Sequence, residues 1–301
     1  MSSTLVLVNR AAGGGRAGAF WERVEPLARA ISAFEVVLPA DAAASRAAVG
    51  QALVAGCRRI VAVGGDGTVH LVVNELLAAD RAGDVTIGVM PAGTGSDLAR
   101  SLAIPRDSAA ALTRALLGPP QPLDAGRCEC LGARLFFVNV ASAGLSGLVD
   151  EKVNAMPRRG RTAYALATLA ALVRYRSIPV RVELDGEAWY EGPLFVLAVA
   201  NGTTFGKGML VAPDSAPDDG WFDVVLVGRV TALELARHLP KVYFGRHIGA
   251  KPVRYRRARL VRLTPLAPLP SFDVDGEVYT SGAASFSVMP GALRIAGAPA
   301  G

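Results

Sequence analysis

Residues 59–76 read RIVAVGGDGTVHLVVNEL and organise the first half of the chain. The β-branched run at 60–63 predicts a buried strand, three glycines follow it, and Thr68 begins a predicted amphipathic helix. In such a unit the backbone N–H groups and the helix N-terminus face an anion, and glycines let a phosphate chain lie against the backbone. The stretch therefore predicts a phosphate-binding turn, with a tight turn of no ligand-binding role as the alternative.

Asp66 is unusual in a turn that faces phosphates, because its carboxylate would repel them unless a cation lay between. Mg²⁺ commonly forms this bridge, since it binds one or two carboxylates together with phosphate oxygens. Asp66 beside Gly64, Gly65 and Gly67 thus indicates a magnesium–nucleotide complex, with Thr68 as the helix N-cap. An Asp that only caps the turn is the alternative.

A second turn of the same kind follows. Residues 85–90 predict a strand, the sequence PAGTGSD comes next, and a helix is predicted from Leu98. Asp97 lies 31 residues after Asp66 (97 − 66), about the length of one βαβ unit. Right-handed crossovers place both turns at the carboxyl edge of one parallel sheet, where ligands usually bind. Gly93 and Thr94 therefore join the candidate nucleotide-binding residues.

Composition limits the classes of protein that fit. The chain has 301 residues, 51% of them hydrophobic and 19% charged, which predicts two folded domains and excludes a disordered chain. Three cysteines without zinc spacing indicate a reduced, cytoplasmic setting, and three scattered histidines argue against a His-based metal site. The net charge of +6 suits anionic substrates, anionic membranes or nucleic acid without choosing among them. Neither a signal peptide nor a membrane span is expected.

Periodicity predicts two kinds of domain. In the first part, strands alternate with helices, which is typical of an open parallel α/β domain, and GPPQP at 118–122 is typical of a linker. In the second part strands predominate, so a mostly antiparallel domain is expected. The later strands are predicted at 134–142, 179–184, 194–200, 222–228 and 254–263, and the later helices at 144–156, 161–174 and 231–241.

The paired turns resemble the nucleotide motifs of the diacylglycerol kinase catalytic domain, which bacterial soluble lipid kinases and the sphingosine and ceramide kinases share. GGDGT at 64–68 and PAGTGSDLAR at 91–100 carry the resemblance, and Asn9 matches a family residue near the nucleotide. The resemblance implies a β-sandwich-like second domain. It also implies that residues 290–301 return to the first domain, which gives domains at 1–124 (completed by 290–301) and 125–289.

The resemblance also assigns roles to acids in the second half. Asp219, with the backbone carbonyls of Ala216 and Trp221, matches the family's structural Mg²⁺ ligands, whereas composition alone favours a solvated turn. Glu277, in FDVDGE at 272–277, matches the family's proposed catalytic base. Alternation places the three acids of this stretch on one side of a strand, with an Asp-Gly hairpin as the alternative.

The expected function is ATP- and Mg²⁺-dependent phosphorylation of a hydroxyl of a diacylglycerol-like or sphingoid lipid, in a cleft between the two domains. Alternatives are an NAD kinase-like enzyme with a soluble substrate and an inactive lipid- or nucleotide-binding regulator. Peripheral membrane contact is expected, nucleic acid is not, and a homodimer is left open. The arginine clusters expected at the membrane are Arg158, Arg159 and Arg161, and Arg254, Arg256, Arg257 and Arg259.

Overall fold

The computed structural model describes residues 3–92, 96–144, 177–268, 271–280 and 282–297. The chain forms two compact units, one of residues 1–125, 217–219 and 289–301, the other of residues 126–216 and 220–288. The domain limits expected from the sequence, 1–124 completed by 290–301 and 125–289, stay a prediction.

Two predicted helices and one predicted arginine cluster fall outside the residues that the structure describes. The predicted helix at 161–174 does so entirely, and so does the helix at 144–156 apart from Gly144. The arginine cluster at 158–161 lies in the same stretch. These expectations therefore stay predictions.

Helices and strands alternate through the first part of the chain, and strands predominate afterwards. The first elements are β1 Thr4–Val8, α1 Ala12–Ile31, β2 Glu35–Val37, α2 Ala42–Val54, β3 Arg59–Gly64, α3 Asp66–Ala78, β4 Thr86–Pro91, α4 Asp97–Ser101 and α5 Ser108–Leu117. The later ones are β5 Pro120–Cys130, β6 Ala133–Phe137, β7 Val140–Gly144, β8 Ile178–Leu184, β9 Glu187–Leu194, β10 Val196–Ala200, β11 Phe222–Val227, α6 Ala232–Val242, β12 Val253–Ala258, β13 Leu260–Pro265, β14 Ser271–Val274, β15 Glu277–Thr280 and β16 Ala284–Ala296.

A parallel sheet forms the centre of the first unit. Its strands lie in the order β2-β1-β3-β4, and the last residues of β16 pair with β4 in parallel. Buried valines of β1 and β3 pack with Trp21 of α1 and Leu112 of α5. Gly64 pairs with Pro91, so β3 and β4 end side by side. The predicted α/β fold is confirmed, and both glycine turns leave the same edge of the sheet.

The second unit contains antiparallel sheets around one core. Six strands have the order β12-β11-β10-β7-β14-β15, and separately β16 pairs with β13, β13 with β8, and β8 with β9. Buried phenylalanines from both sets of strands share the core, with the rings of Phe137 and Phe222 stacked 5.5 Å apart. This arrangement confirms the predicted β-sandwich-like domain.

The linker predicted at 118–122 is wrong. Pro120 is the first residue of β5, a position where proline fits because it has no N–H to pair. The single strand predicted at 134–142 is also wrong, since the chain breaks at Val138 and Asn139 between β6 and β7. The prolines were correctly predicted to end α5, but the chain continues from them as a strand rather than a linker.

The strand predicted at 254–263 divides into β12 and β13, which belong to different sheets. The break is stabilised by Asp185, whose Oδ1 accepts the backbone N–H groups of Arg259 at 2.9 Å and Leu260 at 2.8 Å. A break of this kind leaves no local signal, because the residue that satisfies its backbone lies more than 70 positions earlier.

The three cysteines are free and buried. Burial, with smaller effects from Cys130 and Glu129, raises the pKa of the Cys128 thiol to about 12, so this thiol is protonated at neutral pH. In the part of the chain that the structure describes, every helix is too short or too polar to cross a bilayer.

Gly88 allows α5 to pack directly on β4. A Cβ at Gly88 would lie 2.5 Å from the carbonyl oxygen of Ala115. We expect Gly88→Ala to lower the free energy of unfolding by about 1–3 kcal/mol, because the helix must move away from the sheet. Thermal and urea unfolding followed by circular dichroism measure this change.

Gly50, inside α2, is the matched control. A Cβ there would meet no atom within 4 Å. Gly50→Ala should stabilise the protein by up to about 1 kcal/mol, since alanine favours helix and reduces the entropy of the unfolded chain. Equal unfolding curves for the two variants would contradict the close approach of α5 to β4.

Candidate active site

The turn after β3 is closed by a threonine that lies over a glycine. A Cβ at Gly64 would lie 2.2 Å from Oγ1 of Thr68, so only glycine fits beneath this side chain. Thr68 is buried, and its Oγ1 accepts a hydrogen bond from Nδ2 of Asn9 at 3.0 Å. The backbone N–H of Asn9 donates to the carbonyl of Val63 at 3.0 Å. The structure thus brings Asn9 to the turn of Gly64 and Thr68, which lies more than 50 positions later in the sequence.

The opposite side of this turn is open. Gly65 is the N-cap of α3, and a Cβ there would meet no atom within 4 Å. Gly67, in the first turn of the helix, is exposed. An open glycine backbone at the N-terminus of a 13-residue helix fits a phosphate group. Gly93 and Thr94, the matching residues of the second turn, lie outside the described residues.

Asp66 joins the two turns through its carboxylate. Oδ1 accepts the hydroxyl of Ser96 at 2.5 Å and the N–H of Leu98 at 3.2 Å, and Oδ2 accepts the N–H of Asp97 at 3.0 Å. Asp66 therefore caps the start of α4 from the neighbouring turn. Burial raises the pKa of Asp66, and the hydrogen bond from Ser96 is the largest effect opposing that rise.

The Asp97 side chain is held in a different way. It is buried, and its Oδ1 accepts a hydrogen bond at 2.6 Å from Nη1 of Arg100, one turn further along α4. The two acids are close enough for the charge of Asp97 to contribute to the raised pKa of Asp66. The pair therefore brings two carboxyl groups together at the glycine turns, with Arg100 paired to Asp97.

The donor set fits a magnesium ion that also binds phosphate oxygens. A carboxylate offers roughly four lone-pair sites, and Asp66 uses three of its hydrogen-bonding positions within the protein. Within the described residues, no group of three or more His, Cys, Asp or Glu side chains is placed to hold a metal. The arrangement suits a cation held mainly by substrate phosphates and one or two carboxylates, which is the common mode for Mg²⁺.

The residues predicted to hold a structural Mg²⁺ ion are Asp219, Ala216 and Trp221. Asp219 is exposed and belongs to the first unit, whereas Ala216 and Trp221 are partly buried and belong to the second. The Trp221 ring lies against the guanidinium of Arg259, with 4.3 Å from Cζ to the ring centroid. The metal assignment at these three residues stays a prediction.

The acids at 272–277 do not lie along one strand, so that expectation is wrong and the hairpin alternative is correct. Asp275 and Gly276 have φ values of 54° and 91°, which form a two-residue turn between β14 and β15. Val274 pairs with Glu277 and Asp273 with Val278, which places Glu277 and Asp273 on opposite faces. Glu277 is exposed at the first position of β15.

Asp275 fixes this hairpin to the rest of the second unit. Its Oδ1 accepts the N–H groups of Asn139 at 2.9 Å and Val140 at 3.0 Å, and its Oδ2 accepts that of Val138 at 2.8 Å. Its own N–H donates to the carbonyl of Val140. Four hydrogen bonds therefore hold the turn against the β6–β7 break and set the position of Glu277.

Two buried asparagines extend the same network. Nδ2 of Asn139 donates to the carbonyl of Thr204, and Nδ2 of Asn201 donates to the carbonyl of Val138, at 2.8 and 3.0 Å. The loop that begins at Asn201, a glycine-rich candidate in the sequence, is thus tied to the residues that Asp275 holds. Three loops at one end of the six-stranded sheet share this set of hydrogen bonds.

Negative charge accumulates around the hairpin. Burial raises the pKa of the Tyr279 hydroxyl, and the charges of Glu277, Asp273 and Asp275 raise it further. Glu277 is the exposed member of these three acids, whereas the other two are buried. It is therefore the one whose carboxylate is open to an incoming group.

The chain contains a second hairpin of the same local structure. Asp185 and Gly186 have φ values of 52° and 88° between β8 and β9, and Glu187 follows them. Asp185 also accepts two backbone N–H groups at a strand break, but Glu187 forms an ion pair with Arg256 at 2.9 Å. The sequence Asp-Gly-Glu therefore specifies a hairpin, and only the surroundings distinguish the two glutamates.

Two residues of the site were missed from the sequence. Ser96, quoted as part of a motif but given no role, donates to Asp66 and also accepts the N–H of Ala99 as the N-cap of α4. Asn139 was taken as an interior residue of one strand. A buried asparagine in an apolar run of valines and phenylalanines was the available signal for a break there.

Two protein-family models match this chain, one in each half. The model of the diacylglycerol kinase catalytic domain matches residues 3–128, and that of the YegS C-terminal NAD kinase β-sandwich-like domain matches residues 139–297. A diacylglycerol kinase of Mycobacterium tuberculosis strain H37Rv is 30% identical over 270 residues, which cover 89% of this chain and 85% of that protein.

Solved structures show the same fold. A diacylglycerol kinase structure from Bacillus anthracis strain Sterne covers 98% of this chain and 97% of its own, with a TM-score of 0.72 and 19% identity. An NAD kinase from Archaeoglobus fulgidus covers 98% of this chain and 94% of its own, with a TM-score of 0.51 and 13% identity. From the domain matches and the similarity over most of its length, the chain belongs to the diacylglycerol kinase family of lipid kinases.

Proposed function

We propose that the protein transfers the γ-phosphoryl group of ATP to a hydroxyl of a diacylglycerol-like or sphingoid lipid. The observation that carries the proposal is the Asp66 carboxylate, which joins two glycine turns at one edge of the parallel sheet. A phosphate chain needs backbone donors and a nearby acid for its cation, and the first unit offers both.

The first unit binds ATP in this proposal. The open backbone after β3 holds phosphate oxygens, and Asn9 keeps Thr68 in place over the turn. Asp66 and Asp97 supply carboxylate oxygens for Mg²⁺, which neutralises phosphate charge when bound. The nucleotide-binding residues proposed are Asn9, Gly64, Gly65, Asp66, Gly67, Thr68, Gly93 and Thr94.

Glu277 acts as the base. It accepts the proton of the lipid hydroxyl as that oxygen forms its bond to the γ-phosphorus, while the bond from the γ-phosphorus to the bridging oxygen breaks and ADP leaves. Phosphoryl transfer depends mainly on positioning and charge neutralisation, so the hydrogen bonds that hold the hairpin contribute to rate. Asp219, with the carbonyls of Ala216 and Trp221, is proposed to hold a second, structural Mg²⁺ away from this chemistry.

An enzyme whose acceptor is a lipid must reach that lipid at a membrane surface. We therefore propose a cytoplasmic protein that associates peripherally with the bilayer. Soluble-substrate chemistry of the NAD kinase type is the second candidate, favoured only by the shared fold. A regulator without transfer activity is the third, and the acids at positions 66, 97, 219 and 277 argue against it.

A phosphotransfer assay with γ-labelled ATP tests the proposed function. The acceptors are diacylglycerol, sphingosine, ceramide and phosphatidylglycerol in mixed micelles, and NAD in solution. We expect label in one lipid class and none in NAD. Label in NAD alone would replace the lipid kinase by a soluble-substrate kinase, and ATP binding without any transfer would support the regulator.

Glu277→Gln should reduce kcat/KM by about 10²–10⁴-fold, because the variant keeps the shape of the side chain but accepts no proton. Since Glu277 is exposed, the unfolding midpoint should stay unchanged. Glu187→Gln is the matched control, because it sits after the same kind of turn and should leave activity intact. Full activity of a folded Glu277→Gln enzyme would remove the assignment of the base.

Asp275→Asn should lower both stability and rate. The amide cannot accept three backbone N–H groups, so the free energy of unfolding should fall by about 1–3 kcal/mol. Turnover should fall by about tenfold or more, because the hairpin that positions Glu277 loosens.

The control for this variant is Asp185→Ala, which removes the acceptor of two backbone N–H groups from the other hairpin. It should destabilise the protein by a similar amount without changing kcat at a temperature where both variants are folded. If both variants lost turnover equally, the effect of Asp275 would be one of stability alone.

A further inference from the structure

Helix α6 and the turn after it carry large apolar side chains that face solvent. Leu233 is 80% exposed, Phe244 72% and Tyr243 51%. Arg237 and Pro240 lie between them on the helix and are also exposed. We call these five residues the α6 patch. Residues 233, 237 and 240 follow one another at helical spacing, so they share one side of α6, and Tyr243 and Phe244 follow in the turn after it.

The core does not need the α6 patch. Leu235 and Leu239, on the other side of the helix, pack against Phe195 of the second unit. The helix is therefore already attached to the protein through its inner face. Exposed apolar groups beyond those that the fold requires mark a surface that is covered when the protein works.

The same part of the chain carries the positive charge of the protein. Residues 224–272 contain ten Lys and Arg residues and one acid, Glu234, which gives +9 (10 − 1). The net charge of the whole chain is +6, so the remaining residues sum to −3 (6 − 9). The basic excess is thus concentrated around α6 and the strands after it rather than spread over the surface.

Glu234, the one acid in residues 224–272, accepts hydrogen bonds from the N-cap of its own helix. Glu234 accepts hydrogen bonds from the N–H and the hydroxyl of Thr231, both at 2.9 Å, in a capping box. These bonds lower the pKa of Glu234. Arg229, Arg246 and Lys251, which lie within nine positions of α6 in the sequence, are exposed, so cationic residues flank the apolar ones along the chain.

We infer that the α6 patch is a membrane contact, which lays α6 on an anionic phospholipid surface. This inference rests on the proposed lipid substrate and names the surface that reaches it. Exposed Leu and aromatic side chains beside Lys and Arg are the composition of helices that lie in the bilayer interface. The apolar groups enter the headgroup region, and the cations approach lipid phosphates.

Charge argues against a second copy of the chain as the partner. Residues 229–251 carry five Lys and Arg and one Glu, a net +4 (5 − 1). A two-fold contact would place this surface against itself and oppose like charges. An anionic bilayer covers the same apolar groups and attracts the cations, so it satisfies both features.

The arginine cluster on β12, expected from the sequence at the membrane, is partly occupied by other contacts. Arg254 lies over the ring of Tyr190 at 5.4 Å and Arg257 over that of Trp221 at 5.6 Å, and Arg256 pairs with Glu187. These side chains therefore add to the local field, whereas the α6 patch offers the apolar groups that insert.

Vesicle co-sedimentation of the full chain tests the inference. The vesicles contain phosphatidylcholine with or without phosphatidylglycerol. We expect Leu233→Ser with Phe244→Ser to reduce the partition coefficient on anionic vesicles by about tenfold or more, because the inserted apolar area is lost. Arg237→Glu with Arg246→Glu should reduce it as strongly, and added salt should weaken binding of the unchanged protein.

Matched controls lie in the first unit. Val54 and Leu117 are exposed by 92% and 54%, so Val54→Ser with Leu117→Ser removes comparable apolar surface. Arg46 and Arg58 are exposed, so Arg46→Glu with Arg58→Glu changes the net charge equally. Both control pairs should bind anionic vesicles as the unchanged protein does.

Activity separates this inference from the proposed function. The Leu233 and Phe244 pair should phosphorylate a short-chain diacylglycerol in solution at the normal rate and a vesicle-embedded one at least about fivefold more slowly. Vesicle binding is measured without ATP, so it is informative even if no acceptor is phosphorylated. Unchanged vesicle binding of the pair would overturn the membrane contact. Lost self-association in sedimentation velocity with unchanged vesicle binding would assign the patch to a dimer instead.

Discussion

The hydrogen bonds accepted by Asp66 are the constraint that holds the two glycine turns together. Parallel pairing of β3 and β4 ends two strands side by side, but it does not fix the turns that leave them. The carboxylate does so, because it accepts donors from Ser96, Asp97 and Leu98 of the second turn. Burial makes these bonds stronger and raises the cost of leaving the carboxylate without them. One side chain thus caps a helix and joins two glycine turns.

The second unit uses the same physical device for a different purpose. Asp275 accepts backbone N–H groups from a break between strands, and Asp185 does the same at another break. In each case a charged acceptor satisfies donors that no strand can pair, which allows the chain to change sheets or bend. The two glutamates that follow differ only in their neighbours, since Glu187 has an arginine partner and Glu277 is open. The same structural hairpin can therefore carry glutamates with different surroundings.

Charge divides the molecule along its sequence. Acids lie close together at the two glycine turns, with Asp66 and Asp97, and at the hairpin of Glu277. Bases gather in residues 224–272, around a helix whose outer face is apolar. In the proposed function the basic stretch suits an anionic surface, and the acids suit a metal-bound nucleotide.

Most helices and strands, the two glycine turns, the α/β domain and a mostly antiparallel second domain followed from residues near one another in the chain, and the resemblance carried by the two motifs implied the β-sandwich and the family. Periodicity and turn chemistry act over a few positions, so the sequence carries them openly. Tertiary structure alone showed that β5 replaces the supposed linker, that 254–263 divides between two sheets and that Asp66 bonds to Ser96. It also distinguished the two glutamates, because Glu187 forms an ion pair with Arg256 and Glu277 is exposed. These features depend on donors, acceptors and burial supplied by segments distant in sequence, which no local pattern records.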